Sequence, residues 1–479
     1  MAILDAYGRP INYEMLTEEQ AAPTFIGIRN IYSSIDSSIG LTPEKVIGVL
    51  RQAEFGDPWL YLELAERMEE KDELYQGVLH TRKMAVSQLN ISIVAASDAS
   101  SDQDDAAFIE EVLLQGDLDL HDCIFDILDA LGKGFSATEI IWDIGGRNAK
   151  TGRPQWIPRA LKSRDPRWFM FDWITGEQLL VRSMRPEGQA LGDGQPLLNP
   201  VNLRILGSGY SDHQVGLQPA TEPLAPFKFI THITKAKAGL PIRGGLARVA
   251  MWNYLFRNYI LKDFVVFCEV FGQPLRVGKY GPGATEADKG LLLQAVANIG
   301  TDAAAIIPES MSIEFEKVAQ AGDSTRVYKE ALEYLDPRLT IAVLGQELTT
   351  SIPKGGGSRA AAEVHDVVRR DIATDDARRL SATLNRDLVK PLIDLNRGPR
   401  VRYPKIKFGF EDEEGLEQLA SALGAFVDRG LPVSQQAILA KFGLRAPGRD
   451  EAILHPVKEP ASDAGATDPS GDAVHRNQR

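Results

Sequence analysis

Cysteine is nearly missing from this chain: Cys123 and Cys268 are the two in 479 residues, so a disulfide framework is excluded by count. Both sit inside apolar helical patterns and are expected as reduced core thiols. Positive charge is in deficit, with a formal net charge of −13. Tight, non-specific DNA binding needs clustered Lys and Arg to neutralise phosphates, and that surplus is absent. An acidic surface still lets a polyanion slide past. No apolar run reaches about 18 uncharged residues, which argues against a helical bilayer span. The start of the chain, MAILDAYGRPINYEM, has no basic segment followed by an apolar core. The expected compartment is therefore the cytoplasm.

Catalytic signatures are missing as well. The strings nearest to the phosphate-binding pattern G-x-x-x-x-G-K-S/T are Gly132-Lys133-Gly134 and Gly278-Lys279-Tyr280, and both lack the hydroxyl residue that would hold magnesium. The seven histidines show no paired helical spacing and the cysteines stand alone, so no metal site is suggested. No G-x-S-x-G elbow occurs. The adjacent acids Asp375 and Asp376 point different ways on a helix and read as a solvated face. The expectation is a protein without enzymatic activity and without a cofactor.

What is present is ordinary globular composition, 44% hydrophobic and 25% charged, enough for roughly two to four domains. Thr42-Pro43 and Asp57-Pro58 read as helix starts. They predict helices over Pro43–Phe55 and Pro58–Lys71, followed by one from Asp72 to Leu89 and a strand over Asn90–Ala95. The polar run Ser97–Asp105 reads as a loop. Helices are predicted over Ala106–Leu114 and His121–Leu131 and a strand over Thr138–Ile144, after which Gly145-Gly146 turns the chain. A hairpin is predicted over Arg167–Asp172 and Glu177–Arg182, with a further strand over Pro226–Ile233. Between them, Pro186–Pro223 reads as an exposed excursion.

The stretch Thr231–Tyr280 then passes from a Gly- and Pro-rich hinge into a helix that is apolar and aromatic nearly all round. From Arg243 to Phe271 this helix would run about 40 Å at 1.5 Å per residue. Arg248, Arg257, Lys262, Asp263 and Glu269 exclude a membrane setting, so its girth calls for burial against protein. Trp252, Tyr254, Phe256, Tyr259, Phe264, Phe267 and Phe271 cannot share one face. Neighbouring copies of the same rod would supply the missing cover. Beyond it come a predicted strand Pro274–Lys279, a helix Thr285–Ile299 and strands Ala303–Ile307 and Ser312–Val318. A helix from Ser324 to Leu348 follows, kinked or restarted at Pro337. Next are a loop with three consecutive glycines, a helix from Arg359 to Asp394 and a strand Val401–Phe410. Short helices over Glu413–Asp428 and Ser434–Phe442 precede a polar tail from Pro456 that reads as disordered.

Four separated motifs carry a family resemblance: LDALGKGFSATEIIWD, SRDPRWFMFD, the Thr231–Tyr280 stretch and AAAIIPESMSIEF. Together, over about Leu74 to Phe410, the chain resembles the portal proteins of Mu-type phages. The resemblance implies an α+β, portal-like subunit divided into a 1–41 arm, a 42–240 α/β wing, a 241–271 first stem helix and a 272–322 clip insert. It continues with a 323–349 second stem helix, a 350–358 channel loop, a 359–411 channel helix with return strand, a 412–455 crown and a 456–479 tail. No long helical barrel is expected at the C-terminus.

The function so implied is the dodecameric ring at the unique capsid vertex of a tailed phage or prophage, through which double-stranded DNA is packaged and ejected. Implied partners are further copies of the chain, DNA in the lumen without sequence specificity, a terminase motor, capsid or scaffold proteins and head-completion or tail adaptors. No membrane is among them. The implied location is the virion, after the host cytoplasm. The channel loop falls on Pro353, Lys354, Gly355, Gly356, Gly357, Ser358 and Arg359. Subunit contact falls on Trp252, Leu255, Phe256, Tyr259 and Phe264, and a clip turn facing the motor or an adaptor on Arg276, Lys279 and Tyr280. The alternatives are a cytosolic enzyme or nucleic-acid-binding module with an internal helical bundle, or another virion ring component.

Overall fold

The structure, a computed structural model, describes residues 8–24, 29, 36–116, 118–147, 154–182, 221–272, 276–297, 304–308, 321–347 and 359–409, with isolated positions between 420 and 439. Helix α1 (Tyr13–Thr17) is capped by Asn12, which accepts from the Glu14 amide. Thr42 caps α2 (Pro43–Glu54), its hydroxyl accepting from the Lys45 amide at 3.3 Å. Helix α3 (Trp59–Lys71) follows Pro58, and Asp72 caps α4 (Glu73–Ser87) by accepting from the Leu74 and Tyr75 amides. These starts are where the Thr-Pro and Asp-Pro pairs put them, to within one residue.

Strand β1 (Asn90–Val94) leads to α5 (Ser100–Leu113), which begins six residues earlier than the polar composition suggested. The reason is Asp105, buried within α5 because Arg397 and Arg400 pair with its two carboxylate oxygens. Helix α6 (Leu120–Ile127) precedes α7 (Ala130–Lys133), which ends at Gly134, whose φ of 102° admits no ordinary side chain.

Two antiparallel sheets follow. The first has order β3-β2-β7, built from β2 (Phe135–Arg147), β3 (Pro154–Arg164) and β7 (Phe229–Ile233). The second has order β4-β5-β6, built from β4 (Phe169–Phe171), β5 (Leu179–Arg182) and β6 (Thr221–Pro223). Gly145-Gly146 does not turn the chain. Strand β2 runs through it to Arg147 with a register shift, and a side chain at Gly145 would run into Ile157. Strand β3, unpredicted, hides behind Pro154, Pro158 and the basic residues Arg159, Lys162 and Arg164.

A 3-10 turn at Pro241–Gly244 delivers the chain into α8 (Ala247–Gly272), later than the periodicity indicated because Gly244 and Gly245 belong to the turn. A βαβ unit comes next: β8 (Arg276–Tyr280), α9 (Glu286–Ala297) and β9 (Ala304–Pro308), the strands parallel with Arg276 opposite Ala304. The third strand expected there, Ser312–Val318, lies outside the described residues. Helix α10 (Ala321–Leu344) continues unbroken through Pro337. Helix α11 (Arg359–Leu384) passes through a π turn, Asn385–Val389, into α12 (Lys390–Arg397). The π turn lets Asn385 act as a strand partner, accepting from the Ile406 amide at 2.7 Å and donating to its carbonyl at 3.1 Å. That pins β10 (Lys405–Gly409), which pairs antiparallel with β1.

One apolar core runs through the elements from α1 to the start of α8 and through the ends of α10, α11 and α12, with Tyr61, Tyr75, Phe135, Trp142, Phe169, Phe171, Leu380 and Leu392 fully buried. The chain divides into Met1–Phe410 and a second unit, Glu411–Arg479. In the second unit only isolated positions are described, among them Ile438, whose amide donates to the Ser434 carbonyl at 3.1 Å. The helices expected over Glu413–Asp428 and Ser434–Phe442 lie mostly outside the described residues, and the tail wholly so.

Candidate functional site

Two of the four sequence motifs meet at the root of α8. Thr234, just past β7, donates its hydroxyl to the Ala130 carbonyl at 2.8 Å and its amide to the Gly134 carbonyl at 3.0 Å. The Leu246 amide reaches the Leu131 carbonyl at 3.0 Å. A side chain on Gly244 would overlap the Thr234 carbonyl, and one on Gly245 would stand 2.6 Å from the Gly132 carbonyl, so both glycines are dictated by close backbone approach. Beside this knot Lys133 pairs with Asp129 at 2.6 Å and Glu66 at 2.5 Å, while Lys83 pairs with Asp129 and Glu69 at 2.9 Å. Burial would push Asp129 up, but the two ammonium groups outweigh it and hold the carboxyl at about 2.

The motif carboxylate Glu139 is fully buried in β2. It accepts from the Gln20 and Ala21 amides and pairs with Arg164 of the SRDPRW segment at 2.9 Å. Lys228 lies 3.9 Å away and donates to the Leu16 carbonyl at 2.7 Å. The described part of the N-terminal arm thus packs on its own chain, where Glu19 also bridges Lys162 and Arg164. Those hydrogen bonds lower the Glu19 carboxyl to about 2.

Helices α8 and α10 pack side by side in opposite directions. Asn253 donates to the Leu335 carbonyl at 2.8 Å, and further along α8, Phe264 and Phe267 both lie 5.7 Å from the Tyr328 ring. Arg257 ties the pair to the body through Asp72 at 2.6 Å and Asp336 at 2.9 Å. Much of the pair stays open, and large apolar side chains are exposed there among charged ones. Val249, Phe256, Tyr259, Leu261, Val265 and Val266 are exposed on α8, as are Val327, Tyr334 and Ile341 on α10.

Of the residues expected at a subunit contact, Phe256 is 44% and Tyr259 40% exposed. The Tyr259 hydroxyl also donates to the Leu41 carbonyl at 2.7 Å. Trp252 is half-buried against the core and Phe264 half-buried against Tyr328. Leu255 is 1% exposed within its own chain, which removes it from any set that meets a neighbour. The exposed α10 positions were missed, although Val327, Tyr334 and Ile341 recur at intervals of seven, a helical stripe that could have been read. Cys123 is buried, as expected; Cys268 is exposed, a correction that follows from the open face of α8. Asp375 is the solvated acid expected, pairing with Arg378 and Arg379, but Asp376 is buried and pairs with Arg82.

Arg276, Lys279 and Tyr280 lie in strand β8 rather than on a turn tip, and the Lys289 ammonium sits 5.0 Å from the Tyr280 ring. Pro353, Lys354, Gly355, Gly356, Gly357 and Ser358 lie outside the described residues, and Arg359 opens α11. No helix among the described residues is long and apolar enough to cross a membrane.

The fold is thus that of a mixed helix-and-sheet subunit whose motifs knit a rigid root for a long helix pair. The family model described as the portal protein of Mu bacteriophage matches residues 62–444. The Mu-like prophage FluMu protein gp29 of Haemophilus influenzae is 34% identical over 459 residues, 94% of this chain and 80% of that protein. The portal protein of Escherichia phage Mu is 31% identical over 456 residues, with the same 94% and 80% coverage. A chain from the neck of a native gene transfer agent particle, computed with C12 symmetry, superposes with a TM-score of 0.43 at 10% identity, covering 85% of this chain and 95% of that one. The chain belongs to the Mu-type portal protein family. It is a structural component, not an enzyme.

Proposed function

We propose that this chain is the portal subunit of a tailed phage or prophage, forming the ring at the capsid vertex through which double-stranded DNA enters and leaves. Family membership gives the class. The observation that carries the ring is the exposed apolar surface of α8 and α10, where Val249, Phe256, Tyr259, Leu261, Val265, Val266, Val327, Tyr334 and Ile341 stand in water in a single chain. So many exposed large apolar side chains on two neighbouring helices mark a protein contact. A contact between unlike faces of identical subunits closes into a ring where the rotation permits.

In this reading α8 and α10 are stem helices, the βαβ unit from Arg276 to Pro308 is the clip that meets the motor or an adaptor, and Pro353 to Arg359 line the lumen. The lumen holds DNA weakly. The net charge of −13 and the pairing of Asp375 with Arg378 and Arg379 on α11 suit weak rather than tight phosphate contact. A translocating polymer must leave each contact as readily as it makes it. The test is light scattering of the purified full-length protein together with electron micrographs. A closed ring is expected, a dodecamer by the family resemblance. A monodisperse monomer at every concentration and salt would overturn the reading.

A further inference from the structure

A chain short of positive charge concentrates it in one place. Between Asp394 and Glu411 stand Arg397, Arg400, Arg402, Lys405 and Lys407, with no acid among them. Two of the five are taken up inside the fold, since Arg397 and Arg400 both pair with the buried Asp105 of α5. Arg402, Lys405 and Lys407 are exposed, and among the described residues none of the three has an ion-pair partner.

The scaffold under these three cations is fixed. Strand β10 pairs with β1 so that Lys405 stands opposite Val94, Lys407 opposite Ser92 and Gly409 opposite Asn90. Successive side chains of a strand take opposite faces. Ile406 is fully buried, and Phe408, Ile91 and Ile93 pack on the core, which turns Lys405 and Lys407 outward together with Asn90, Ser92 and Val94. The outward face of this two-stranded ribbon therefore carries two ammonium groups and no carboxylate. The bend that bears Arg402 is held by Tyr403, whose hydroxyl accepts from the Arg400 amide at 3.0 Å and donates to Asp394 at 2.7 Å. Lys405 and Lys407, two residues apart, stand about 7 Å from each other along the strand.

A row of unpaired cations on a flat ribbon fits a phosphate backbone, which Lys and Arg contact without reading sequence. Tyr403 and Phe408, the rings nearest in sequence, are half-buried against the core and offer no platform for an unpaired base, so a duplex fits better than a single strand. We infer that the outward face of β10, with Arg402, is a weak, sequence-independent contact for the phosphate backbone of double-stranded DNA, placed on the α/β body. The inference rests on the portal reading for the source of that DNA. Three cations are too few for tight binding, so a duplex is released as readily as it is held.

The test titrates the full-length protein against a fluorescent duplex of random sequence between about 50 and 200 mM salt. It compares the wild type with the triple variant Arg402→Gln, Lys405→Gln, Lys407→Gln. The matched control, Lys45→Gln, Lys235→Gln, Lys237→Gln, removes the same charge from exposed positions on α2 and after β7. The ribbon variant is expected to bind about tenfold or more weakly at the lowest salt, its log–log salt slope reduced by about one for each cation removed, while the control keeps the wild-type slope. Lys405→Gln and Lys407→Gln made singly, each expected to lower the slope by about one, decide the matter where the triple variant folds poorly. Equal losses in ribbon variant and control would show a general charge effect and overturn the inference. Wild-type protein that prefers a poly-glutamate peptide to the duplex would overturn it too, in favour of an acidic protein surface. Lysines on an edge strand also guard against stray strand pairing. A ribbon variant that aggregates yet binds DNA like the wild type has lost that guard alone, and the inference fails. Light scattering scores the ring separately: ribbon-dependent binding without a ring sinks only the portal reading, and rings without such binding sink only the inference.

Discussion

The α/β body and the α8–α10 pair solve opposite problems with similar residues. The body buries charge: Glu139, Lys228, Lys133, Arg182 and Asp57 are all inside and all paired. The helix pair exposes grease, with Phe256, Val265, Val327 and Tyr334 in water and its ion pairs, such as Arg326 with Glu330 at 2.6 Å, on the surface. A buried ion network specifies one arrangement and is costly to break. An open apolar stripe specifies nothing until a partner supplies the other half. The body is thus complete in one chain, and in the proposed ring the pair is completed by a neighbouring copy. Substitutions in the body should act on folding, and those on the open stripe on assembly.

The largest effect is expected at Glu139. Replacing it with Ala would leave Arg164 and Lys228 buried without their carboxylate and strand the Gln20 and Ala21 amides. The cost should be about 3–5 kcal/mol, the range for breaking a buried ion pair from one side. Urea unfolding checks it. A loss below about 1 kcal/mol, typical of an exposed pair, would mean that the arm and Arg164 do not depend on this carboxylate.

The comparison also explains what could be read in advance. The cap at Thr42, the βαβ order after α8 and the long apolar helix were legible because each has a local cause: a cap residue, a turn or a periodicity. Strand β3 and the start of α5 were not, because Asp105 and the arginines and lysines of β3 are polar by type yet find partners far away in sequence, as Arg397 shows for Asp105. The same blindness affected the site. Phe256 and Tyr259 were recognisable as aromatic surplus, but Leu255 beside them could not be told apart until the body claimed it. The burial of Asp376 gives no sequence signal at all, since its partner Arg82 lies 294 residues away.

A smaller effect, confined to acid, is expected from His232. Its ring is enclosed in the core with Nδ1 3.0 Å from the Thr383 hydroxyl; burial, with Arg386 and Arg379 adding repulsion, lowers its pKa to about 4. The unfolded chain gains this proton below about pH 6.5, whereas the folded chain resists it down to about pH 4. Stability should therefore be level above about pH 6.5 and fall by up to about 3 kcal/mol on the way to pH 4, after which this group contributes no further slope. Asp129 and Glu19 act in a lower window. Their folded pKa values, near 2, lie below the unfolded ones, so their contributions are present at neutral pH and fade only as the pH drops below about 4.5. His232→Gln should flatten the pH 6.5 to 4 segment of a melting profile and leave the lower one in place. An unchanged slope would show that another group carries that proton.

The smallest effect on the fold, and the sharpest on assembly, is expected for Phe256→Asp. Phe256 is 44% exposed on α8, one position beyond the buried Leu255. In the isolated chain the new carboxylate would sit in water, so the monomer should lose no more than about 0.5 kcal/mol, the usual scale for a surface change. In a ring whose contact covers the α8 stripe the same carboxylate would be buried without a partner, at a cost of several times that at every interface. The expected outcome is a folded chain, with the circular dichroism and melting behaviour of the wild type, that no longer forms rings in light scattering. Tyr259→Phe is the matched control. It removes only the hydroxyl that donates to the Leu41 carbonyl, so it should cost the chain about 1 kcal/mol and leave the ring intact. Rings of normal size and salt resistance from Phe256→Asp would place the subunit contact on another face, and the open stripe of α8 would then need a different partner.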